Sequence, residues 1–418
     1  MSMSDNFEFL NSEIWIKYTQ ERYVPVDDIK YRLEGLGVEL NDWNELKNKI
    51  QNFRKLGAIP VFVPSIGKKF WYFPADCINQ KINNIERRGN RIFEKIENQN
   101  ELKNHFLQDS AIEEAITSAI YEGANSTRAK AKEFIETNKQ PKNKDEWMLL
   151  NNFLAMKWIK NNANKEVTPE LILELHHIVT NNTLEGDDAN FQGKFRNDKV
   201  FVGNHEGIDF KKIEEGLNES IEAATKNKRY QHGLIKGILL HYLMAYVHPF
   251  FDGNGRTART LFYFKCMKNH LKFVELLSIS AHLKRGRGNA YEKSFDLVVE
   301  NNYDITYFID YCLDSLEVAV NNVEKKVEFL LNIGLLKEEF HLNANQLMLL
   351  QKLALNKFVS VTAQQHAKDI NRTREIARKD LKDLFEKNFL KEVEKGNQLL
   401  YYVDSDYLKL VVAKLAKK

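Results

Sequence analysis

The chain has 418 residues, with 61 Lys and Arg against 58 Asp and Glu, a net charge of +3. That near-balance excludes a partner recruited by bulk charge alone, and the length exceeds what one hydrophobic core favours, so two or three domains are expected. Nineteen glycines and seven prolines, none after Pro249, favour a mostly helical chain, while three scattered cysteines, Cys77, Cys266 and Cys312, exclude a disulfide framework and suit a reducing cytoplasm.

Residues 1–20 carry acids and no apolar h-region, and no later stretch approaches 18 uninterrupted apolar residues. The expectation is a soluble, unexported protein with no membrane partner. Leu46 to Leu56 reads as a short helix. Ile59-Pro-Val-Phe-Val-Pro64 and Phe70-Trp-Tyr-Phe73, split by Gly67-Lys-Lys, read as a small hairpin that its prolines confine to edge positions. No chemistry attaches to this region.

From about Ile78 the apolar spacing predicts long helices at 79–106, 111–121, 126–138, 145–161, 169–182, 209–226, 233–247 and 255–269. Thr168-Pro169-Glu170 has the grammar of a helix start: an N-cap hydroxyl, a proline in the first turn and an acid near the positive end. Residues 185–207 interrupt the run with four glycines and the β-prone Val200-Phe-Val202, and read as an exposed loop with a short hairpin. Beyond 340, Ala344–Asn356, Thr362–Ile370 and Thr373–Asn388 read as three short helices. Strands at Phe389–Val393 and Leu399–Val403 follow, around Gly396-Asn397. That order is the pattern of a winged helix-turn-helix.

Residues 360–418 hold 13 basic and 9 acidic side chains. Basic groups cluster at Arg372, Arg374, Arg378 and Lys379, where a major-groove reader would place them, but Glu375, Asp380, Asp383 and Glu386 share the helix and oppose phosphate. DNA is therefore one partner class for this domain. A protein surface, including a second copy of the chain in a homodimer, is the favoured other.

The densest chemistry lies between 248 and 259. The apolar run Ile238 to Val247 reads as a buried helix ended by Pro249, and helical spacing resumes from Thr257 to Phe264. The loop Gly253-Asn254-Gly255 therefore opens a helix, whose freed N–H groups and positive dipole end make an anion site that glycines let a phosphate approach closely. Arg256 and Arg259, one turn apart, add fixed positive charge for phosphate oxygens. Asp252 offers a hard oxygen suited to Mg²⁺ shared with substrate phosphates, and His248 can take a proton near neutrality. Base, metal carboxylate and phosphate cradle together describe phosphoryl or nucleotidyl transfer.

The stretch His248-Pro-Phe-Phe-Asp-Gly-Asn-Gly-Arg-Thr-Ala-Arg259 resembles the signature of the Fic (filamentation induced by cAMP) family, His-x-Phe-x-Asp/Glu-Gly-Asn-Gly-Arg-x-x-Arg, at every fixed position. The resemblance implies a mainly α protein, an all-α core with a small β-hairpin flap, here joined to the C-terminal winged helix-turn-helix. It implies transfer of AMP from ATP, with Mg²⁺, to a Ser, Thr or Tyr hydroxyl of a protein target, the enzyme itself included. His248 would be the general base and Asp252 the Mg²⁺ ligand. Asn254, Gly255 and Arg256, with Gly253 in the same loop, would hold the α- and β-phosphates, Arg259 the γ-phosphate, and Phe250 would anchor the core. Some relatives use UTP, GTP or a choline-bearing nucleotide instead.

Upstream, Ser118-Ala-Ile-Tyr-Glu122-Gly123 closes a predicted helix with Gly123 at its cap. It resembles the inhibitory motif of the family, Ser/Thr-x-x-x-Glu-Gly/Asn. Glu122 would pair with Arg259 and remove the γ-phosphate ligand; a glutamate there could equally orient a water for removal of AMP. Residues 191–203, with Lys194, Phe195, Arg196, Val200, Phe201 and Val202, resemble the flap that docks the target by strand addition. The stretch from Ile279 to Tyr291 resembles one that usually carries two adjacent tyrosines near the adenine; Ala290 replaces the first and leaves Tyr291 as the nucleobase contact.

The expected division is a mixed α/β region at 1–78, the Fic core with its inhibitory helix at 79–300, a helical linker at 301–340 and the winged helix-turn-helix at 341–418. The competing reading is a DNA-binding regulator whose core senses a nucleotide, or one half of a toxin–antitoxin-like pair.

Overall fold

The computed structural model describes residues 8–37, 42–137, 139–202, 205–283, 289–355, 360–396 and 398–417. Gly203 and Asn204 of the flap, the side chain of Val202, residues 284–288 on the way to Tyr291, and Asn356 and Asn397 lie outside that description. The chain divides into two compact units, Met1–Asn321 and Asn322–Lys418.

The first unit opens with a helical stretch over residues 13–20, then α1 (Val26–Glu34) after Pro25, neither of them foreseen in the apolar spacing. Helix α2 (Trp43–Gly57) starts earlier than its apolar residues suggest, because the Asp42 side chain accepts from Glu45 N at 3.0 Å and caps it. Strands β1 (Ile59–Val63) and β2 (Lys68–Tyr72) form the expected hairpin, with Ile59 opposite Tyr72 and Gly67 left-handed in the turn. The hairpin is tied to a segment more than 200 residues away: Trp71 N donates to Tyr303 O at 3.2 Å and Ile305 N to Trp71 O at 2.8 Å. Arg54, 1% exposed, adds bonds to Tyr18 O (2.7 Å), Val24 O (2.9 Å), Thr19 Oγ1 (3.0 Å) and the Tyr307 hydroxyl (3.1 Å). A buried charge with this many acceptors fixes the N-terminal segments against residues 303–307.

Two long helices follow, α3 (Asp76–Glu97) and α4 (Asn100–Tyr121). The spacing predicts a break between 106 and 111, but the chain turns at Asn98–Gln99 instead, where ψ moves to 1° and then 76°. Residues 97–101 are all polar and carry no proline or glycine, so no breaker residue marks the junction. Next come α5 (Arg128–Glu136), α6 (Lys144–Asn162) and α7 (Pro169–Val179). Thr168 caps α7 as expected, accepting from Leu171 N at 3.2 Å. The helix stops at Val179, short of 182, as Thr180 leaves helical geometry and Asn182 becomes left-handed.

The flap contains the two-residue pair β3 (Phe201–Val202) and β4 (His205–Glu206). Helices α8 (Ile213–Thr225), α9 (Gly233–Val247) and α10 (Asn254–Lys268) follow. Helix α9 is apolar on nearly every side and packs along α10, where Gly237 lets the two approach: a Cβ there would lie 2.9 Å from Cys266 Sγ. Helices α11 (Ala290–Glu300) and α12 (Thr306–Asn332) complete the series.

In the second unit, α13 (Ala344–Leu355), α14 (Ala363–Asp369) and α15 (Arg374–Glu386) precede a hairpin of β5 (Leu390–Lys395) and β6 (Gln398–Val403). Thr362 and Gln365 form a capping box on α14. Val361 pairs with Tyr401 through two bonds of 2.9 and 3.0 Å, adding a third short strand position to the hairpin. A closing helix α16 (Ser405–Leu415), capped by Asp404, extends the expected order. No helix among the described residues is long and apolar enough to cross a membrane.

Gly89 marks the closest approach of α3 to the segment after α10, since a Cβ there would lie 2.3 Å from the Phe273 ring. Gly89→Ala is expected to cost about 1–3 kcal/mol by forcing that ring aside, read as a lower urea midpoint; an unchanged midpoint would contradict this packing.

Candidate active site

Helix α9 ends because His248 adopts left-handed backbone (φ 50°, ψ 60°) and Pro249 cannot continue it. The loop is then closed by one side chain. Asn254 accepts from Phe250 N at 3.0 Å and donates to Phe250 O at 2.8 Å, so its amide holds the loop. Phe250 is buried as the expected anchor, its ring stacked on His176 with centroids 3.6 Å apart. Gly253, at the N-cap of α10, has φ 82°, and a Cβ would lie 2.6 Å from Thr180 Cγ2.

His248 presents one usable lone pair. Its Nδ1 lies 3.2 Å from Ala245 O, which can only accept, so Nδ1 carries the proton and Nε2 is the free base. Burial pulls its pKa down to about 4, reinforced by His205 and Arg196 and opposed by the Ala245 bond and Glu122. The imidazole is neutral at pH 7.

Asp252 keeps its side chain 40% exposed, accepting from Gly253 N at 2.5 Å and from Arg256 Nη2 at 3.0 Å. Arg256 faces inward rather than toward the loop mouth: it also donates to Val179 O at 2.9 Å, and its Nε has no partner among the described residues. A hard carboxylate at the mouth, beside the open first turn of α10, fits an Mg²⁺ ion that draws its other ligands from phosphate and water. No cluster of three or more His, Cys, Asp or Glu among the described residues offers an all-protein cage.

Arg259 is fully buried, and its partners come from α4. Its Nε donates to Ser118 Oγ at 3.0 Å; its Nη2 donates to Ser118 Oγ at 2.9 Å, Ser118 O at 3.2 Å and Glu122 Oε1 at 2.8 Å. Burial alone would lower the arginine pKa, and Glu122, with Tyr291 and Glu114, more than offsets that. Glu122 reaches this place because α4 ends in a two-bond cap: Gly123 is left-handed (φ 96°), Gly123 N donates to Ile120 O at 3.1 Å and Ala124 N to Ala119 O at 3.0 Å. A Cβ on Gly255 would lie 2.2 Å from Glu122 Oε1, so the carboxylate rests on the first turn of α10. That is the helix's anion position.

Two residues that the sequence did not single out hold the site together. Glu114 is buried on α4 and accepts from the Tyr263 hydroxyl (2.9 Å), Ser278 Oγ (3.0 Å), Ser280 N (3.0 Å) and Ser280 Oγ. It lies four residues before Ser118 and eight before Glu122, a polar stripe at helical spacing that was available as a signal. His176 accepts from Gly193 N at 3.1 Å on Nδ1 and donates to Asp252 O at 3.0 Å from Nε2, linking flap to loop. Burial pulls it to about 4 as well. A polar residue on the apolar face of Leu171, Ile172, Leu175 and Val179 was its signal.

The flap residues separate into two groups. Lys194 is exposed, Phe201 is 64% exposed, and Val200 O accepts from Gly207 N at 3.0 Å beside the short hairpin. Phe195 packs near Phe250 at 6.0 Å. Arg196, expected on the docking face, is instead buried: its backbone N donates to Pro249 O (2.9 Å), its Nε to His248 O (2.8 Å) and its remaining nitrogens to Asp198 O and Ile208 O. Tyr291 is also inward, its hydroxyl 2.8 Å from His241 Nε2 and its ring perpendicular to Tyr121 at 5.4 Å.

Residues 166–265, from just before α7 into α10, match the model of the Fic/DOC family. Over 154 residues the chain is 32% identical to the protein adenylyltransferase Fic of Drosophila willistoni, and 33% to that of Drosophila virilis. The match takes in 34% of this chain but only 28% and 29% of those relatives. In fold, the chain is similar to the crystal structure of a Fic family protein from Desulfovibrio desulfuricans G20, with a TM-score of 0.51 at 16% identity over 77% of this chain and 95% of that one.

Two measurements follow from this geometry. The His248 ring resonances are expected to stay at the neutral position from pH 8 down to about pH 5 and to titrate near 4; a midpoint near 6.5 would contradict its burial. Arg196→Ala frees the carbonyls of His248, Asp198 and Ile208 at once and is expected to cost about 2–4 kcal/mol, comparable with leaving several buried acceptors unpaired, measured by urea denaturation.

Proposed function

We propose that this chain, whose residues 166–265 form a domain of the Fic/DOC family, is a protein adenylyltransferase that moves AMP from ATP to a Ser, Thr or Tyr hydroxyl of a protein. The observation that carries the reading is the anion position on the first turn of α10, filled by Glu122 and faced by Arg259, in the same loop-and-helix unit as a neutral histidine with Nε2 free. With Glu122 withdrawn, Arg259 is a buried cation in need of an anion, and the γ-phosphate of ATP supplies one. The β- and α-phosphates then lie along the open N–H groups of Gly255 and its neighbours.

His248 Nε2 takes the proton of the target hydroxyl as its oxygen attacks the α-phosphorus. The bond from that phosphorus to the bridging oxygen breaks, and pyrophosphate leaves. Mg²⁺, held through Asp252, would neutralise charge on the departing phosphates. Arg256 keeps Asp252 aimed, and Asn254 keeps the loop shaped; both act through other residues. The target docks as an extended segment along the flap near Phe201, where main-chain bonds give register without strict demand for sequence. The chain itself is one such target.

The C-terminal unit exposes Arg374, Arg378 and Lys382 on one wall of a groove of about 520 Å³, with Glu386 on the same helix and Glu392 on the facing strand. Mixed sign favours a protein partner, a second copy included, over DNA. The three cysteines are buried and unpaired, which suits the cytoplasm.

Glu122→Gly is expected to raise labelling of the protein or its target by ATP carrying a labelled α-phosphate about 10- to 100-fold, the value of a charge-assisted bond removed from Arg259. His248→Ala in that background should lower it about 10²- to 10⁴-fold. Equal label with and without Glu122 would contradict inhibition; label that survives loss of His248 would contradict the mechanism.

A further inference from the structure

We propose that Tyr121 is the positioning residue for the inhibitory glutamate, latching the end of α4 to the start of α11 through Glu292; this rests on the reading of Glu122 as inhibitor. The need for a latch follows from where Glu122 sits. It lies one residue past the last full turn of α4, and its own N–H reaches Ser118 O only at 3.3 Å. Helix ends fray, and a carboxylate carried there is not held by the helix alone. The Glu114 network fixes α4 two turns earlier, and Ser118 ties it to Arg259 one turn earlier; the last residues are left to the cap and to Tyr121.

Tyr121 adds a further restraint by three contacts on two other elements, α10 and α11. Its ring lies over the Arg259 guanidinium at 5.3 Å, on the side chain that Glu122 engages. Its ring also meets Tyr291 edge-on, with centroids 5.4 Å apart and planes at 88°. Its hydroxyl donates to Glu292 Oε1. Tyr291 and Glu292 are consecutive residues in the first turn of α11, so the end of the inhibitory helix and the start of α11 move together or not at all. Release of Glu122 from Arg259 therefore requires α11 to let go of Tyr121. A partner or nucleobase that draws α11 away would thereby switch the enzyme on.

The hydroxyl is the part that can be removed without disturbing the packing. Tyr121→Phe keeps both ring contacts and loses the charge-assisted bond; Glu292→Ala removes the same bond from the other side. Each is expected to raise nucleotide labelling about 3- to 10-fold over the unaltered protein, the value of one such bond near solvent. Neither should add to Glu122→Gly. A merely structural tyrosine would instead lower labelling in both backgrounds.

Hydrogen exchange supplies a readout that needs no activity. The amides of Glu122, Gly123 and Ala124, bonded to Ser118, Ile120 and Ala119, should exchange about 3- to 10-fold faster in Tyr121→Phe. Labelling and exchange both at the unaltered level, in a preparation where Glu122→Gly does label, would overturn the latch. If Glu122→Gly itself gives no label, the adenylyltransferase reading fails, and the exchange rates alone decide the latch.

Discussion

A guanidinium buried as deeply as Arg259 must have an anion, and that requirement organises the centre of this protein. Ser118 supplies two oxygens, but neutral acceptors do not cancel a charge; Glu122 does. The same need makes the site receptive to a phosphate once the carboxylate leaves. On the proposed function, inhibitor and substrate group are alternatives for one position. The first turn of α10 strengthens the preference, since its free N–H groups favour negative charge whichever molecule carries it.

Around that position the structure divides labour between residues that face the reaction and residues that hold them. Asp252 keeps its side chain partly exposed beside the half-buried His248, and Arg256, Asn254, His176 and Arg196 are buried behind them. Arg196 reaches from the flap to the loop, and His176, on α7, bonds both the flap and the loop, so the flap and the base are tied together. Glu114 does the equivalent for α4, seating it against Tyr263 and the 278–280 segment.

Much of this was legible in the sequence because the signals were local. The apolar runs of α9 and α10, the proline between them and the glycines at 253 and 255 define the helix–loop–helix without tertiary information. What was misread lies in side-chain direction. Arg256 and Arg259 are one turn apart and equally basic, yet one points to Val179 and Asp252 and the other to α4; spacing places both on a face but does not say what the neighbouring helices offer. Arg196 looked like a surface arginine because nothing in its sequence neighbours shows that three carbonyls converge on it. The helices over 13–34 escaped notice because they are short, and their buried rings meet partners distant in sequence, Trp15 on Phe53 and Phe73 and Tyr23 on Tyr307.

The strand bridge from Trp71 to residues 303–305, together with Arg54 on Tyr307 and Tyr23 on Asp304, gives the first seventy-odd residues a role in the order of assembly. Their partners are synthesised only after the whole loop–helix site has left the ribosome. Until then the hairpin edge and the Arg54 bond to Tyr307 wait unmade, and the loop they must close is long. The N-terminal region is thereby a clasp that joins the first seventy-odd residues to the segment just past α11.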